Sequence, residues 1–249
     1  MGRQGETEQT FKHFGKIIAM DYVKEYIEKN PTMHLEDSLM KVNQIIQVIP
    51  PTLKVKRLLD VACGAGLITI ELAKKLNSTN NVGVDISKEM IKKAKLLDKE
   101  KLVKWKVADI FEYKAAKTFD LVTGIDILEH IENDKEFLKT VSRLGKFILI
   151  RTPLEKTGFS TFLRKTGIYD PWKDTEKRFG HIHHYDEQDL YSLFKSCNLK
   201  IVKSVSVPLA KRSKLIWEIF RLLFYPIALF SLEKMVKVSG GFKIILLKT

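Results

Sequence analysis

The chain has 249 residues, 45% of them hydrophobic and 29% charged, which is ordinary globular usage and excludes disordered, collagen-like and mucin-like readings. Its 43 Lys and Arg against 30 Asp and Glu leave a formal net charge of +13; this favours anionic partners, whether nucleic acid, phospholipid headgroups or phosphorylated small molecules, without choosing among them. Only two cysteines occur, Cys63 and Cys197, so a disulfide framework is excluded and both read as free thiols in a reducing compartment.

The N-terminal stretch MGRQGETEQTFKHFG is polar and is not expected to act as a secretory signal. Glu6 stands where N-myristoylation requires Ser or Thr. Residues 1–51 read as a helical region, because Phe14, Ile17, Ile18, Tyr22 and Tyr26, then Leu39, Val42, Ile45, Ile46 and Ile49, recur at helical spacing. Pro50-Pro51 stops that pattern.

From residue 52 onward the period changes. Arg57 to Val61 is a short apolar run ending in small residues and suits a buried strand. A helix is expected over Leu67 to Leu76, a strand over Asn81 to Ile86, and a helix after Ser87 as its cap. Strands near Lys104 to Ala108 and Phe119 to Thr123, a helix over Asp134 to Leu144 and a strand over Lys146 to Arg151 continue the alternation. Such alternation implies a parallel sheet covered on both faces. Thr152 to Tyr185 has no clear period and reads as an inserted loop or lid. Asp186 then opens a helix with Asp189 at the capping-box distance, and strands at 199–207 and 241–249 flank an apolar segment.

The loop Asp60-Val61-Ala62-Cys63-Gly64-Ala65-Gly66 joins a predicted strand to a predicted helix. Small residues there let the backbone turn sharply and approach a ligand, and the helix start offers N–H groups. Two acids follow at the ends of the next strands. Asp85 can accept both hydroxyls of a ribose, and Asp109 can accept an exocyclic amine of an adenine that Ile86 and Ile110 would sandwich.

At these residues the chain resembles the class I S-adenosylmethionine-dependent methyltransferases, from about Leu58 to Lys203 and again at the last strand. The resemblance implies that Asp60 orients the methionine end of S-adenosylmethionine. Ala62, Cys63, Gly64 and Gly66 would line it, with Asp85, Ile86, Asp109 and Ile110 at the ribose and base. Ala62 departs from the glycine that many members carry. It further implies an α/β, doubly wound, mostly parallel seven-stranded sheet whose last strand is antiparallel.

Asp126 to His130 follows the fourth strand as Asp-Ile-Leu-Glu-His, where the family often has Leu-Glu-His. If helical geometry begins near Asp126, then Asp126, Glu129 and His130 share one face. Three readings stand: a general base at His130 or Asp126, a divalent metal site similar to that of ubiquinone-biosynthetic and small-RNA 2′-O-methylating relatives, or a turn merely pinned by Glu129 and His130. His181, His183 and His184 crowd before the Asp186 helix, and His181 matches a family histidine that reaches toward the substrate. His130, His181 and Asp126 are therefore the candidate catalytic residues. No metal is assigned, and Asp126, Glu129, His130 and His181 are the candidate ligands if one is used.

Neither cysteine is placed for cytosine-C5 chemistry, and the fourth strand reads Thr-Gly-Ile-Asp where amino-group DNA methyltransferases carry N/D-P-P-[YF]. Lysines such as Lys92, Lys93 and Lys95 read as a solvated helix face. Nucleic acid is thus the less favoured partner. Ser213 to Glu233 is strongly apolar, contains Trp217 and Tyr225 and is bounded by lysines. Glu218, Arg221 and Pro226 argue against a spanning helix. A lid or peripheral membrane contact through 213–238 is expected, against the plainer reading of a kinked core helix pair.

The expected organisation is an N-terminal helical region, 1–51, and a methyltransferase domain, 52–249, with cap segments at 152–185 and 213–238. The expected activity is methyl transfer from S-adenosylmethionine to an O, N or C atom of a small or lipid-like acceptor, in a cytoplasmic protein with peripheral membrane contact. An RNA methyltransferase, or an inactive membrane-surface or protein-binding module, is the alternative.

Overall fold

Strand β1, Arg57–Val61, supplies the centre of the fold, because its consecutive residues Leu58 and Leu59 are both fully buried. Neighbouring strand residues point to opposite faces, so a strand buried on both sides must be covered twice. A computed structural model describes residues 35–167, 169–209 and 231–249, and shows this covering. Leu58 packs with Val42 and Ile45 of α1 (Leu35–Ile46) and Leu72 of α2 (Leu67–Leu76). Leu59 packs on the other side with Phe137 of α4 (Asp134–Leu144) and Phe194 of α7 (Glu187–Ser196).

The remaining strands are β2 (Asn80–Asp85), β3 (Val103–Val107), β4 (Phe119–Ile125), β5 (Gly145–Leu154), β6 (Lys200–Pro208) and β7 (Gly241–Lys248). With β1 they form one sheet in the order β3-β2-β1-β4-β5-β7-β6. The first five are mutually parallel, and β7 runs antiparallel to both β5 and β6. Helix α3 (Lys88–Leu97) connects β2 to β3, and the Ser87 hydroxyl accepts from the Met90 amide as its cap. Strand order reverses between β1 and β4, which opens a crevice at the C-terminal ends of those strands. Every residue considered below as a ligand-binding group lies at that edge or in the segments leaving it.

Two expectations change. Residues 152–185 are not an irregular loop. Thr152 to Leu154 complete β5, and two helices follow, α5 (Gly158–Thr166) and α6 (Pro171–Phe179). Both helices are declared by their ends: a Thr157–Ser160 capping box for α5, and an Asp170 cap with Pro171 for α6. Helix α6 buries none of its residues, so no apolar period announces it. Leu39 is not part of the core stripe of α1, being 54% exposed. Of the apolar C-terminal segment only helix α8 (Leu232–Ser239) is described, with Met235 and Val236 buried. The proposed lid residues 213–230 and the expected helical residues Phe14 to Tyr26 lie outside the described residues. Among the described residues no helix is long and apolar enough to cross a membrane.

Candidate active site

The candidate cofactor side is built by the backbone. After β1 the chain turns through three left-handed residues, Ala62 (φ 54°), Gly64 (φ 54°) and Gly66 (φ 81°), before α2 begins. A Cβ at Gly66 would lie 2.4 Å from Cη2 of Trp105, so glycine is required there by space as well as by φ. Ala62 holds the same conformation with a side chain, at a cost of roughly 1–2 kcal/mol for a non-glycine residue. That is the physical reason glycine suits this position.

The turn is tied to the next strand end. The Gly64 amide donates to Asp85 Oδ2 (2.8 Å), and the Ser87 amide donates to Asp85 Oδ1 (2.8 Å). Burial raises the Asp85 pKa and these two amides oppose the rise. Each carboxylate oxygen keeps acceptor capacity for a ligand hydroxyl. Asp109 follows β3, is buried and accepts from the Phe111 amide (2.9 Å). Ile110 is buried with Val84 and Phe119 in the core, whereas Ile86 is half-buried at the rim.

Asp60 is buried at the end of β1 and is held by two hydroxyls. Its two oxygens accept from the hydroxyls of Thr69 on α2 (2.5 Å) and Thr123 on β4 (2.6 Å). Burial raises its pKa to about 6 against the lowering effect of those hydroxyls. Asp60 therefore pins β1 to its neighbours on both sides. The Cys63 thiol is pushed up by burial and by Asp60 and Asp85, which makes it a poor nucleophile.

The second cluster, the candidate acceptor side, is built by side chains from distant segments. Asp126 is left-handed (φ 54°) and its amide donates to the Arg151 carbonyl (2.8 Å); only then does a short 3₁₀ turn, Leu128–His130, begin. No helical face collects Asp126, Glu129 and His130. Asp126 instead pairs with Lys41 of α1 (2.9 Å) and with Arg151 of β5. Burial would raise its pKa, but those two cations hold it below the usual carboxylate range. Glu129 accepts from the hydroxyl of Thr152 (3.1 Å). Arg151 and Thr152 are consecutive strand residues and face opposite sides of the sheet, so their partners Asp126 and Glu129 are drawn apart.

Glu129, His130 and His181 come together. Each offers a ligand atom, and these atoms lie within 4.8 Å of one another. The two imidazole rings meet edge to face, with centroids 5.0 Å apart. His130 Nδ1 lies 3.1 Å from the Gly180 carbonyl, and His181 Nδ1 lies 2.8 Å from Glu155 Oε1. A carbonyl and an ionised carboxylate only accept, so each Nδ1 carries a proton and each Nε2 bears the lone pair in the neutral ring. Burial, with Asp126 adding to it, raises Glu129 to about 8, and burial lowers His130 to about 4. Burial would lower His181, but the hydrogen bond to Glu155 raises it above its ordinary value, so a cation binding at the cluster would displace protons from both Glu129 and His181. The two-nitrogen, one-oxygen donor set suits a first-row divalent ion, and the occupied Nδ1 atoms are the usual outer support of metal-bound histidines. Of the other histidines in the loop after α6, His183 Nε2 donates to the Ile131 carbonyl (2.9 Å) and His184 Nδ1 binds Glu155 Oε2 (2.7 Å).

A family model described as a methyltransferase domain matches residues 34–204, which carry both halves of this site. The chain belongs to the class I S-adenosylmethionine-dependent methyltransferase family. It is 32% identical over 131 residues to a ubiquinone biosynthesis O-methyltransferase of Pelagibacter ubique, covering 52% of this chain and 48% of the relative. A protein of the same description from Coxiella burnetii is 35% identical over 121 residues, 47% and 48% of the two chains. The chain thus spans about half the length of these curated relatives. A methyltransferase structure from Archaeoglobus fulgidus superposes with a TM-score of 0.58 at 22% identity, over 92% of this chain and 100% of the other, which supports the fold.

The side chains not foreseen from sequence are Thr69 and Thr123 on Asp60, Lys41 and Arg151 on Asp126, and Glu155 on His181. A usable signal existed only for Glu155, a carboxylate directly after the apolar run of β5 and ahead of the histidine-rich loop.

Proposed function

We propose that this chain methylates a hydroxyl oxygen of a small, lipid-like acceptor from S-adenosylmethionine, with a divalent cation held by Glu129, His130 and His181. The observation that carries the proposal is the meeting of those three ligand atoms beside the crevice where strand order reverses. The ubiquinone biosynthesis O-methyltransferases to which the chain is similar support an oxygen acceptor of ubiquinone-precursor type.

S-adenosylmethionine supplies an activated methyl group, so the chain's residues mainly bind, orient and deprotonate. Asp85 accepts the ribose hydroxyls while Gly64 and Ser87 hold its carboxylate still. Asp109 takes the adenine amine. On the acceptor side a cation at the triad would lower the pKa of a bound hydroxyl and fix its oxygen toward the methyl group. The triad residues would set its position, with Glu129 giving up its proton to bind. A second reading, with His181 as general base oriented by Glu155, is supported by their 2.8 Å contact.

Incubation with methyl-labelled S-adenosylmethionine and aromatic diols, with and without an apolar tail, tests both. Label in the organic extract that chelator abolishes and Mn²⁺, Mg²⁺ or Zn²⁺ restores supports the metal reading. Chelator-insensitive turnover supports the histidine base, and no methylated product with any acceptor contradicts both.

A further inference from the structure

Glu155 stands where β5 releases the chain, fixed at its amide by the Tyr185 carbonyl (3.0 Å). Its carboxylate is 14% exposed and serves two histidines at once: Oε1 binds His181 Nδ1 (2.8 Å), and Oε2 binds His184 Nδ1 (2.7 Å). Oε2 also accepts from the Thr175 hydroxyl (3.1 Å), and the Glu155 carbonyl accepts from Trp172 Nε1 (3.2 Å). Thr175 and Trp172 both belong to α6, and the Trp172 ring stacks on His184 at 5.1 Å. The carbonyl that receives His130 Nδ1 is that of Gly180, the C-cap of the same helix. Helix α6 therefore reaches two of the three proposed ligands, one through Glu155 and one through its own end.

We propose that Glu155 is a positioning residue that fixes the Nδ1-protonated form and the orientation of His181, and that it couples helix α6 to the ligand cluster. The proposal rests on the metal reading for its consequence, though not for the histidine geometry. Two N–H donors converge on one carboxylate, and only an ionised carboxylate offers an acceptor oxygen to each. A glutamine has one acceptor oxygen and one N–H₂, so one of the two histidines must move its proton to Nε2 or turn away. Where that histidine is His181, a ligand lone pair is lost.

The test titrates Zn²⁺ and Mn²⁺ into metal-free wild type, Glu155→Gln and His184→Phe, with S-adenosylhomocysteine binding measured on the same samples. Glu155→Gln is expected to weaken metal binding by about 10- to 100-fold, the usual range for an outer-shell partner, with S-adenosylhomocysteine binding unchanged. His184→Phe should leave metal affinity nearly as in the wild type, since it removes the second histidine and spares the first. A Glu155→Gln protein with normal S-adenosylhomocysteine binding and wild-type metal affinity overturns the inference. Should the wild type bind neither ion, the metal reading fails. Long-range ¹⁵N spectra of the histidines in the metal-free protein then decide the positioning role alone. Protonated Nδ1 on His181 and His184, lost from one of them in Glu155→Gln, supports it. His181 protonated only on Nε2 in the wild type, a result that needs no variant, overturns it.

Discussion

The two halves of the crevice are made in different ways. On the cofactor side, the turn after β1 and the end of β2 are joined by backbone amides donating to one carboxylate, Asp85, across 21 residues. On the proposed acceptor side, Glu129, His130, Glu155 and His181 come from the turn after β4, the segment leaving β5 and the loop after α6, and the groups that would meet a ligand are side chains held by other side chains and by backbone carbonyls. A site written in the backbone tolerates change around it as long as the turn forms. A site written in side chains depends on each partner's identity, and so it is where specificity can diverge within one fold.

The largest effect that would break this contrast lies beside the acceptor half. Asp126→Ala leaves the buried Arg151 without its carboxylate, and removing one partner of a buried ion pair costs about 3–5 kcal/mol. Because Asp126 also faces Lys41 and is itself only half-buried, the lower end of that range is expected. Chemical denaturation should show the loss, and S-adenosylhomocysteine binding by the folded fraction should not change. A folded variant with weakened S-adenosylhomocysteine binding would mean the halves are not separable in this way.

Asp60 gives a pH-dependent effect on the cofactor half. Its folded pKa of about 6 lies above the ordinary value of 3.8, so the folded state binds the proton more tightly than the unfolded state. The burden of its charge is absent below pH 3.8, grows between 3.8 and about 6, and is complete above. Across that window the stability of Asp60→Asn relative to the wild type should rise by about 3 kcal/mol, from 1.36 kcal/mol per unit of pKa. Denaturation curves of both proteins between pH 4 and 8 check this, and a difference that is flat with pH contradicts it.

Asp85→Ala sharpens the comparison at the smallest scale. Losing the ribose acceptor should weaken S-adenosylmethionine binding by about 1–3 kcal/mol. Calorimetry should show that loss with metal binding untouched. Unchanged S-adenosylmethionine affinity would remove Asp85 from the cofactor site.

How much of this could be read in the sequence follows the same division. Strand Arg57–Val61 and the helices Leu67–Leu76 and Asp134–Leu144 have the expected bounds, and the caps at Ser87 and Asp186 form as expected. In each case the signal is local: an apolar period or a capping residue within a few positions. Helices α5 and α6 also carry local signals, at Thr157 and at Asp170-Pro171, but they lack the apolar period that distinguishes a helix from a loop. The expected shared face of Asp126, Glu129 and His130 failed for a reason no spacing reveals. Asp126 is left-handed, with its carboxylate drawn to Arg151 and Lys41, which are 25 and 85 residues away. Glu155 lies 26 residues from His181, and only the fold brings them into contact.

The central claim, that the acceptor half is a metal centre at Glu129, His130 and His181 and excludes Asp126, is tested most directly by metal stoichiometry. Wild type, Glu129→Gln and Asp126→Asn would be stripped, dialysed against Mn²⁺ or Zn²⁺ and measured by elemental analysis. Burial, with Asp126 beside it, pushes the Glu129 carboxyl up to about 8, so the neutral glutamine resembles its protonated form and should leave the fold intact. The account predicts about one ion per chain in the wild type and in folded Asp126→Asn, and none retained by Glu129→Gln. A wild type that retains no ion, or a Glu129→Gln protein that holds it as well as the wild type, would contradict the account.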